Sequence, residues 1–126
     1  MEYELSWGGD PEDVSVRILG VVTPEELNAW VQEVLGDVRY RSGLRILIDH
    51  READWSQMTE SDLRRRADLV ARDRPRLQDH RVAFVVERPV EYGLSRMLDV
   101  YTQEHRDFEY RLFNDAESAR AWLAPQ

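Results

Sequence analysis

The residues of this chain that could do chemistry are concentrated after an apolar run near its middle. The run LRILI, at 44–48, leads into a polar segment whose acidic, basic, hydroxyl and aromatic side chains are Asp49, His50, Arg51, Trp55, Ser56 and Thr59. An Asp, a His and a Ser are the residue types of a hydrolase triad, in which the Asp orients the His and the His activates the Ser. A Ser or Thr before a helix could instead carry a phosphate, because the free N–H groups and positive end of the helix would stabilise it.

Strand geometry argues against the triad. Asp49 and His50 are sequence neighbours at a strand end, and neighbouring side chains of a strand point to opposite faces, so this Asp is badly placed to orient this His. The chain also lacks the Gly-x-Ser-x-Gly turn that presents a nucleophilic serine in many hydrolases. We therefore predict no Ser56-His50-Asp49 active site and a protein that is not an enzyme.

Ser56 and Thr59 are the two candidate phosphoacceptors, and Thr59 has a simpler structural role. Asp62 follows Thr59 by three positions, which is close to the capping-box pattern in which a hydroxyl accepts a bond from the first turn of a helix. Thr is also among the preferred residues at that position. We interpret Thr59 first as a helix cap and keep phosphorylation of either residue as the alternative.

No metal or cofactor site is predicted. The three histidines, His50, His80 and His105, are scattered along the chain and form no His-Glu-x-x-His motif. The chain has no cysteine to supply a thiolate ligand or nucleophile. All 17 basic residues are Arg, which excludes a Schiff-base lysine and a P-loop lysine.

The composition argues against several classes of partner. A formal net charge of −8 would repel nucleic acids and anionic membranes. No apolar run approaches the roughly 20 residues that span a bilayer, and the acidic N-terminal segment does not resemble a signal peptide. We therefore predict a cytoplasmic protein that neither binds nucleic acid nor inserts into a membrane.

One segment is basic within this acidic chain. Between Arg64 and Arg81 there are seven Arg residues and three Asp residues. Such a segment could dock an acidic partner, a phosphate or a lipid head group. The simpler interpretation, which we prefer, is a solvated helix face stabilised by pairs four residues apart, such as Arg64–Asp68 and Arg72–Asp68.

The elements that position these residues can be predicted from the periodicity of the sequence. Apolar runs at 3–7 and 14–20, separated by Gly, Pro and Asp, indicate an antiparallel pair of strands. Later strands alternate with helical patterns, which indicates a mainly parallel sheet with right-handed crossovers. The predicted strands are 3–7, 14–20, 44–48, 81–87 and 108–113. The predicted helices start at the cap Thr23 followed by Pro24, at Thr59, around Pro89, and at a cap that is either Asn114 or Asp115.

The predicted fold class is therefore α/β. We expect a single domain over residues 1–126 with a mainly parallel sheet of about five strands, the first antiparallel at an edge, and about four helices. The predicted order is β-β-α-β-α-β-α-β-α.

The third predicted helix joins the candidate site, because ligands tend to bind beyond the C-terminal ends of parallel strands and this helix follows such an end. Its predicted apolar face comprises Val90, Leu94, Met97, Leu98 and Tyr101. Gly93 lies inside this pattern at a cost of about 1 kcal/mol relative to Ala, so either the helix starts loosely or a backbone or ligand approaches closely. The complete predicted binding edge is Asp49, His50, Arg51, Trp55, Ser56, Thr59, Arg88, Tyr92, Gly93 and Arg96.

Several phrases of the sequence resemble one family of small α/β domains. They are GVVTPEELNAW, LRILIDHR, RVAFVVERPVEYGLSRM and the closing FNDAESARAWL, and together with the opening hairpin they extend over nearly the whole chain. The chain resembles the SpoIIAA-like proteins, which are relatives of the STAS domain of sulfate transporters and anti-sigma factor antagonists. The resemblance implies a non-enzymatic regulatory or interaction domain whose partner is another protein, a second copy in a homodimer, or a small ligand.

Two further expectations follow from this resemblance. STAS regulators carry a phosphorylated Ser in an Asp-Ser-Ser-Gly motif, and this chain has Ser56 and Thr59 in the corresponding region but lacks that motif. SEC14-type lipid-binding folds are linked with the same group, so the alternative function is a carrier of an apolar or lipid-like ligand. That alternative requires an apolar cavity under the third helix, near Tyr92, Leu94 and Leu98.

Overall fold

The strands of the sheet lie side by side in the order in which they occur in the chain. The computed structural model describes residues 1–125, which form a five-stranded sheet and four α-helices. The strands are β1 (Glu2–Trp7), β2 (Val14–Val21), β3 (Arg45–Asp54), β4 (Gln78–Val85) and β5 (Asp107–Phe113). The helices are α1 (Pro24–Leu35), α2 (Glu60–Arg72), α3 (Pro89–Thr102) and α4 (Ala116–Leu123), with 3₁₀ turns at Arg74–Arg76 and Gln103–His105. Strand β1 is antiparallel to β2 and the other pairs are parallel, so the predicted fold class and element order are confirmed.

The distribution of helices follows from this strand order. Each crossover from β2 to β5 moves one strand further in the same direction, and right-handed crossovers then place their helices on one face. The main core accordingly joins the sheet to α1, α2 and α3 through side chains such as Leu27, Leu63 and Leu98. Helix α4 covers the other face, where Ala119 and Leu123 pack on β3 and β4.

Three of the helices begin at capping residues that the sequence predicts. The Thr23 hydroxyl accepts a bond from the Glu26 N–H at 3.3 Å, and Pro24 follows it. The Asp115 carboxylate accepts a bond from the Ser118 N–H at 2.7 Å. These side chains satisfy backbone donors that have no partner inside the first turn. Local sequence is therefore enough to set where these helices begin.

Strand β3 is longer than predicted. The predicted strand ends at Asp49 and His50, whereas the observed strand continues to Asp54. A register shift after Arg17 allows the end of β2 to pair with this extension, with Gly20 opposite Ala53. The first part of the predicted loop is therefore strand, and Trp55 directly follows the end of β3.

The inward face of α3 differs from the predicted one. Val90 is 59% exposed and Met97 is 40% exposed, so the prediction was wrong for these two residues. The buried residues of the helix are Glu91, Ser95, Leu98 and Thr102, which recur at helical spacing. The rotation of α3 is set by polar contacts of its first turn, described below, rather than by its most apolar stripe.

Gly93 is the first position that tests this description of α3. It lies in regular helix, and a Cβ added there would meet nothing within 4 Å. We expect Gly93→Ala to raise the free energy of unfolding by about 1 kcal/mol, because alanine loses less backbone entropy in a helix. Urea denaturation measures the change. Gly20→Ala is the matched control and should be destabilising, because Gly20 has a φ of +84°. A destabilised Gly93→Ala variant would mean that something approaches this position closely.

Candidate functional site

Asp49 and His50 lie on opposite faces of the sheet, as the alternation of a strand requires. Asp49 accepts two bonds from the Arg51 side chain, at 3.0 and 2.8 Å, and one from the Arg51 N–H at 3.0 Å. Partial burial alone would raise the pKa of Asp49, but these bonds outweigh it and lower the pKa. Asp49 and Arg51 therefore form a local ion pair on the face that α4 partly covers.

His50 lies inside the main core together with Trp55. The two residues are 2% and 0% exposed, and the His50 ring stacks on Phe84 with the centroids 4.1 Å apart. The Trp55 Nε1–H donates to His50 Nδ1 at 3.0 Å. Trp55 therefore folds into the core and is not available at the surface.

The Trp55 bond fixes the state of the His50 ring. Burial lowers the pKa of His50 to about 3, with a further contribution from the positive charge of Arg66 against the opposing effect of Asp49. The ring is neutral at physiological pH. Because an indole nitrogen can only donate, Nδ1 must be the acceptor, and the single ring proton is on Nε2. His50 is thus a neutral donor that faces the space between the sheet and the helices.

The first turn of α3 is tied to the end of β3. The Trp55 main-chain N–H donates to the Glu91 carboxylate at 3.0 Å, and Arg88 pairs with the same carboxylate at 3.3 Å. Arg88 also donates to the carbonyl oxygen of Ala53. These contacts bury Glu91 and fix the rotation of α3. Arg88 belongs to the predicted binding edge, but its contacts are structural, because they hold the first turn of α3 against the end of β3.

The remaining residues of the predicted edge lie closer to solvent. Ser56 and Thr59 are exposed, and Gly93 and Arg96 are exposed on α3 beside the half-buried Tyr92. The ten predicted residues thus occupy the core, the surface and the opposite face of the sheet and do not form one continuous surface. Binding of a partner by the exposed members stays a prediction.

Thr59 has the capping role that the sequence predicts. Its hydroxyl accepts a bond from the Asp62 N–H at 3.1 Å, and its own N–H donates to the Asp62 carboxylate at 3.0 Å. Ser56 follows a tight turn in which its N–H donates to Asp54 at 2.8 Å. Phosphorylation of either hydroxyl stays a prediction.

A cavity of about 90 Å³ lies between the sheet and helices α1 to α3. Most of its wall is apolar, with side chains such as Val31, Ile48 and Val82. Six of its polar wall residues come from five different elements and their ends: Trp30, His50, Arg66, Asp73, Thr102 and Tyr110. An internal space that combines an apolar wall with a few polar groups is typical of a small-molecule site.

Arg66 is the most unusual residue of the cavity wall. It belongs to the basic segment that we interpreted as a solvated helix face, but its side chain is only 9% exposed, so that interpretation was wrong for this residue. Among residues 1–125, none forms an ion pair or hydrogen bond with it. Burial lowers the pKa of Arg66 to about 10, with Tyr110 and Asp73 acting in the opposite direction, so the guanidinium remains charged at neutral pH.

Other donors in the wall also lack an acceptor within the described part of the chain. The Tyr110 hydroxyl and the Trp30 Nε1–H are buried and make no hydrogen bond to residues 1–125. Burial raises the pKa of Tyr110, so its hydroxyl stays protonated. No described residue accepts a bond from His50 Nε2. The cavity therefore holds more hydrogen-bond donors than its own acceptors satisfy.

One further part of the wall is fully satisfied. His80 accepts a bond from the Leu44 N–H at 3.0 Å through Nδ1, and its Nε2 lies 2.8 Å from the Tyr40 hydroxyl. Burial lowers the pKa of His80, so Nε2 of the neutral ring carries the proton and donates to Tyr40. Tyr40 in turn donates to the carbonyl oxygen of Arg76. The unsatisfied donors therefore belong to the other part of the wall, which is formed by Trp30, His50, Arg66 and Tyr110.

The sequence contained one signal for Arg66 that the interpretation as a charged face overlooked. Leu63, Ala67 and Val70 recur at helical spacing in α2, and Arg66 lies at a position that completes this apolar stripe. A charged residue at a stripe position indicates a buried charge. Tyr110 gives no comparable signal, because aromatic residues are common on the inner face of a strand.

The described residues hold no group of three or more His, Asp or Glu side chains that could bind a metal ion. Separately, none of the α-helices within residues 1–125 has the length and apolar character needed to cross a membrane.

Comparison with known proteins identifies the fold. No family model matches the sequence, and no curated protein matches it. Among solved structures, the chain is similar to an uncharacterised protein of the DUF3478 family from Shewanella loihica PV-4, which is described as having a SpoIIAA-like fold. The similarity covers 97% of this chain and 94% of that chain, with 16% sequence identity and a TM-score of 0.62. The chain therefore has a SpoIIAA-like fold, as its sequence predicts.

The buried neutral state of His50 predicts a dependence of stability on pH. Its pKa is about 3 in the folded chain and near its ordinary value of 6.5 when unfolded, so the unfolded chain binds more protons between these values. The free energy of unfolding should fall by about 1.4 kcal/mol per pH unit from this residue as the pH drops through that window. His50→Asn keeps an acceptor for Trp55 but does not titrate. Urea denaturation between pH 6.5 and 5 should show a smaller loss for the variant, and equal losses would contradict a buried neutral His50.

Thr59 and Ser56 provide a second test of this region. Thr59→Ala removes the hydroxyl that accepts the bond from the Asp62 N–H, which is one half of the capping box. We therefore expect the free energy of unfolding to fall by about 1 kcal/mol. Ser56→Ala is the control and should change it by less than about 0.5 kcal/mol, because Ser56 is exposed and its main-chain bond to Asp54 does not need the side chain. Denaturation of both variants at neutral pH gives the comparison. Equal effects would mean that Thr59 is not the dominant cap.

Proposed function

We propose that this protein is a non-enzymatic STAS-like regulatory domain that acts by binding a small ligand inside its fold. The observation that carries the proposal is the cavity between the sheet and helices α1 to α3, with its apolar wall and its unsatisfied donors. Buried polar groups are rarely left without partners in native proteins, and binding sites are a recurrent exception.

The size of the cavity favours a compact ligand. Its volume is about 90 Å³, which is smaller than the roughly 150 Å³ cavity that accommodates benzene in an engineered protein. Drug-sized ligands and lipids need roughly 300 Å³ or more. Of the three residues expected near a lipid site, Leu98 lines the cavity, whereas Tyr92 and Leu94 do not. A carrier of a whole lipid, the alternative function, therefore has less support than a receptor for a small molecule.

The position of the cavity supports a regulatory role. Its wall includes Trp30 of α1, Arg66 of α2 and Thr102 of α3, so one ligand would contact all three helices on this face of the sheet. A ligand that binds one arrangement of these helices better than another shifts their equilibrium by its difference in affinity. A protein partner or a second copy of the chain would then meet a changed helical surface.

The arrangement of the potential catalytic residues supports a binding role over an enzymatic one. Asp49 is bonded to Arg51 on one face of the sheet, and His50 accepts a bond from Trp55 inside the other face. Ser56 is exposed outside the core. A triad requires direct contacts between the acid, the base and the nucleophile, and these three side chains occupy separate environments.

The four tryptophans allow a direct test of the proposed site. Trp30 and Trp55 line the cavity, whereas Trp7 and Trp122 do not. We expect a panel of small alcohols, amides and carboxylates of three to four carbons to contain members that shift the indole ¹H–¹⁵N signals of Trp30 and Trp55 in a saturable manner. The signals of Trp7 and Trp122 serve as internal controls. If no member of the panel shifts the two cavity signals, or if the shifts are confined to the controls, the proposal is wrong.

A further inference from the structure

We infer that the cavity binds a small aliphatic carboxylic acid in its anionic form, with the carboxylate against Arg66 and the alkyl group against the apolar wall. The inference rests on the proposed function, because it names the class of ligand for that cavity. Four observations support it: the buried guanidinium, the existing bond of the Asp73 carboxylate in the cavity wall, the surplus of donors and the composition of the wall.

The contrast between neighbouring arginines of α2 is the first observation. Arg64 and Arg65 are exposed, and each forms an ion pair, with Glu60 at 2.9 Å and with Glu25 at 3.4 Å. Arg66 is buried and has no such partner among residues 1–125. Physical chemistry favours the reverse arrangement, because water solvates an exposed charge, whereas a buried one needs an opposite charge. Arg66 therefore carries the charge that most needs a counterion, and the described part of the chain does not supply one.

The carboxylate of the cavity wall, that of Asp73, does not supply this counterion. Asp73 lines the same cavity and is 7% exposed, but its carboxylate accepts a bond from the Gln32 side chain at 2.8 Å. It acts on Arg66 through space and forms no ion pair with it. Arg66 can therefore bond a carboxylate from a ligand without breaking a contact that the structure shows.

The additional donors match the acceptor capacity of a carboxylate. Its two oxygens offer about four acceptor sites. A guanidinium can occupy two of them in a bidentate pair, and the Tyr110 hydroxyl and Trp30 Nε1–H are unsatisfied donors of the same wall. His50 Nε2–H is a further neutral donor, which favours an anion without adding a second positive charge.

The rest of the wall distinguishes a carboxylic acid from an inorganic anion. Beyond the polar side chains, the wall consists of aliphatic and aromatic groups such as Leu27, Val34 and Ile46. A phosphate exposes oxygens in every direction and would leave some of them against this apolar surface without donors. A short alkyl chain instead gains from burial against it. The ligand should therefore have a charged end and an apolar end.

The test compares isobutyrate with its neutral isosteres isobutyramide and isobutanol, using the Trp30 and Trp55 indole signals of the full chain. We expect isobutyrate to bind at least tenfold more tightly than either neutral compound. Arg66→Met should weaken isobutyrate binding by roughly tenfold to a hundredfold, the range expected for loss of a charged hydrogen-bonded pair. Binding of the neutral compounds should change little. Arg65→Met is the matched control, because it removes a neighbouring exposed guanidinium, and it should leave all affinities unchanged.

The stability of the ligand-free protein distinguishes an Arg66 that awaits an anionic ligand from an Arg66 that only stabilises the fold. Replacing an unpaired buried charge by an apolar side chain of similar length removes a desolvation cost. Arg66→Met should therefore raise the Tm of the ligand-free protein while it reduces the increase in Tm caused by isobutyrate. A structural Arg66 predicts a lower Tm in the variant.

Each contrary result has a distinct meaning. Equal affinities for isobutyrate and isobutyramide, or an isobutyrate affinity unaffected by Arg66→Met, would overturn the inference but leave a neutral ligand and the proposed function intact. Binding of chloride or phosphate as tight as that of isobutyrate would indicate an inorganic anion site and also overturn it. If Arg66→Met does not fold, Tyr110→Phe decides: selective weakening of isobutyrate relative to isobutanol supports the inference, and equal effects on both contradict it.

Discussion

The coincidence of strand order with chain order is the constraint on which the rest of this structure depends. Since successive parallel strands are added in one direction, right-handed crossovers place α1, α2 and α3 side by side on one face. Three helices must then cover four parallel strands, and their inner faces meet the sheet at positions set by three separate connections. The cavity lies where these three helices converge on the sheet. Its wall is therefore assembled from residues that are remote in sequence, such as Trp30 and Tyr110.

Within this arrangement, only one of two neighbouring polar residues of the wall, Arg66 and His50, is charged. Arg66 remains positive, and its charge is one of the reasons that the pKa of His50 is lowered, after burial itself. The bond from Trp55 stabilises the same neutral form of the imidazole, because only a neutral ring offers an acceptor nitrogen. The core thus carries one positive charge at this point and not two. A single unpaired charge is already costly, and a second would add its own desolvation cost and repel the first.

Local signals in the sequence predicted most of the fold and little of the site. Thr23, Thr59 and Asp115 cap the helices as predicted, because a cap depends on three or four adjacent residues. The extension of β3 depends on pairing with Gly20 after a register shift, which no local pattern contains. The rotation of α3 depends on contacts of Glu91 with a residue 36 positions away. For the same reason, the sequence indicated the opposite faces of Asp49 and His50 but not the cavity that His50 faces.

The edge position of β1 has a consequence for how copies of this chain behave toward one another. Within residues 1–125 this strand has no neighbour on one side, and such an edge can pair with another strand. Glu2 and Glu4 are exposed along it, and in the described part of the chain Glu4 pairs with Arg17 at 3.4 Å whereas Glu2 forms no ion pair. Two copies that approached through β1 would bring these carboxylates together in a chain whose net charge is already −8. Repulsion at the free edge therefore opposes extension of the sheet from one molecule to the next.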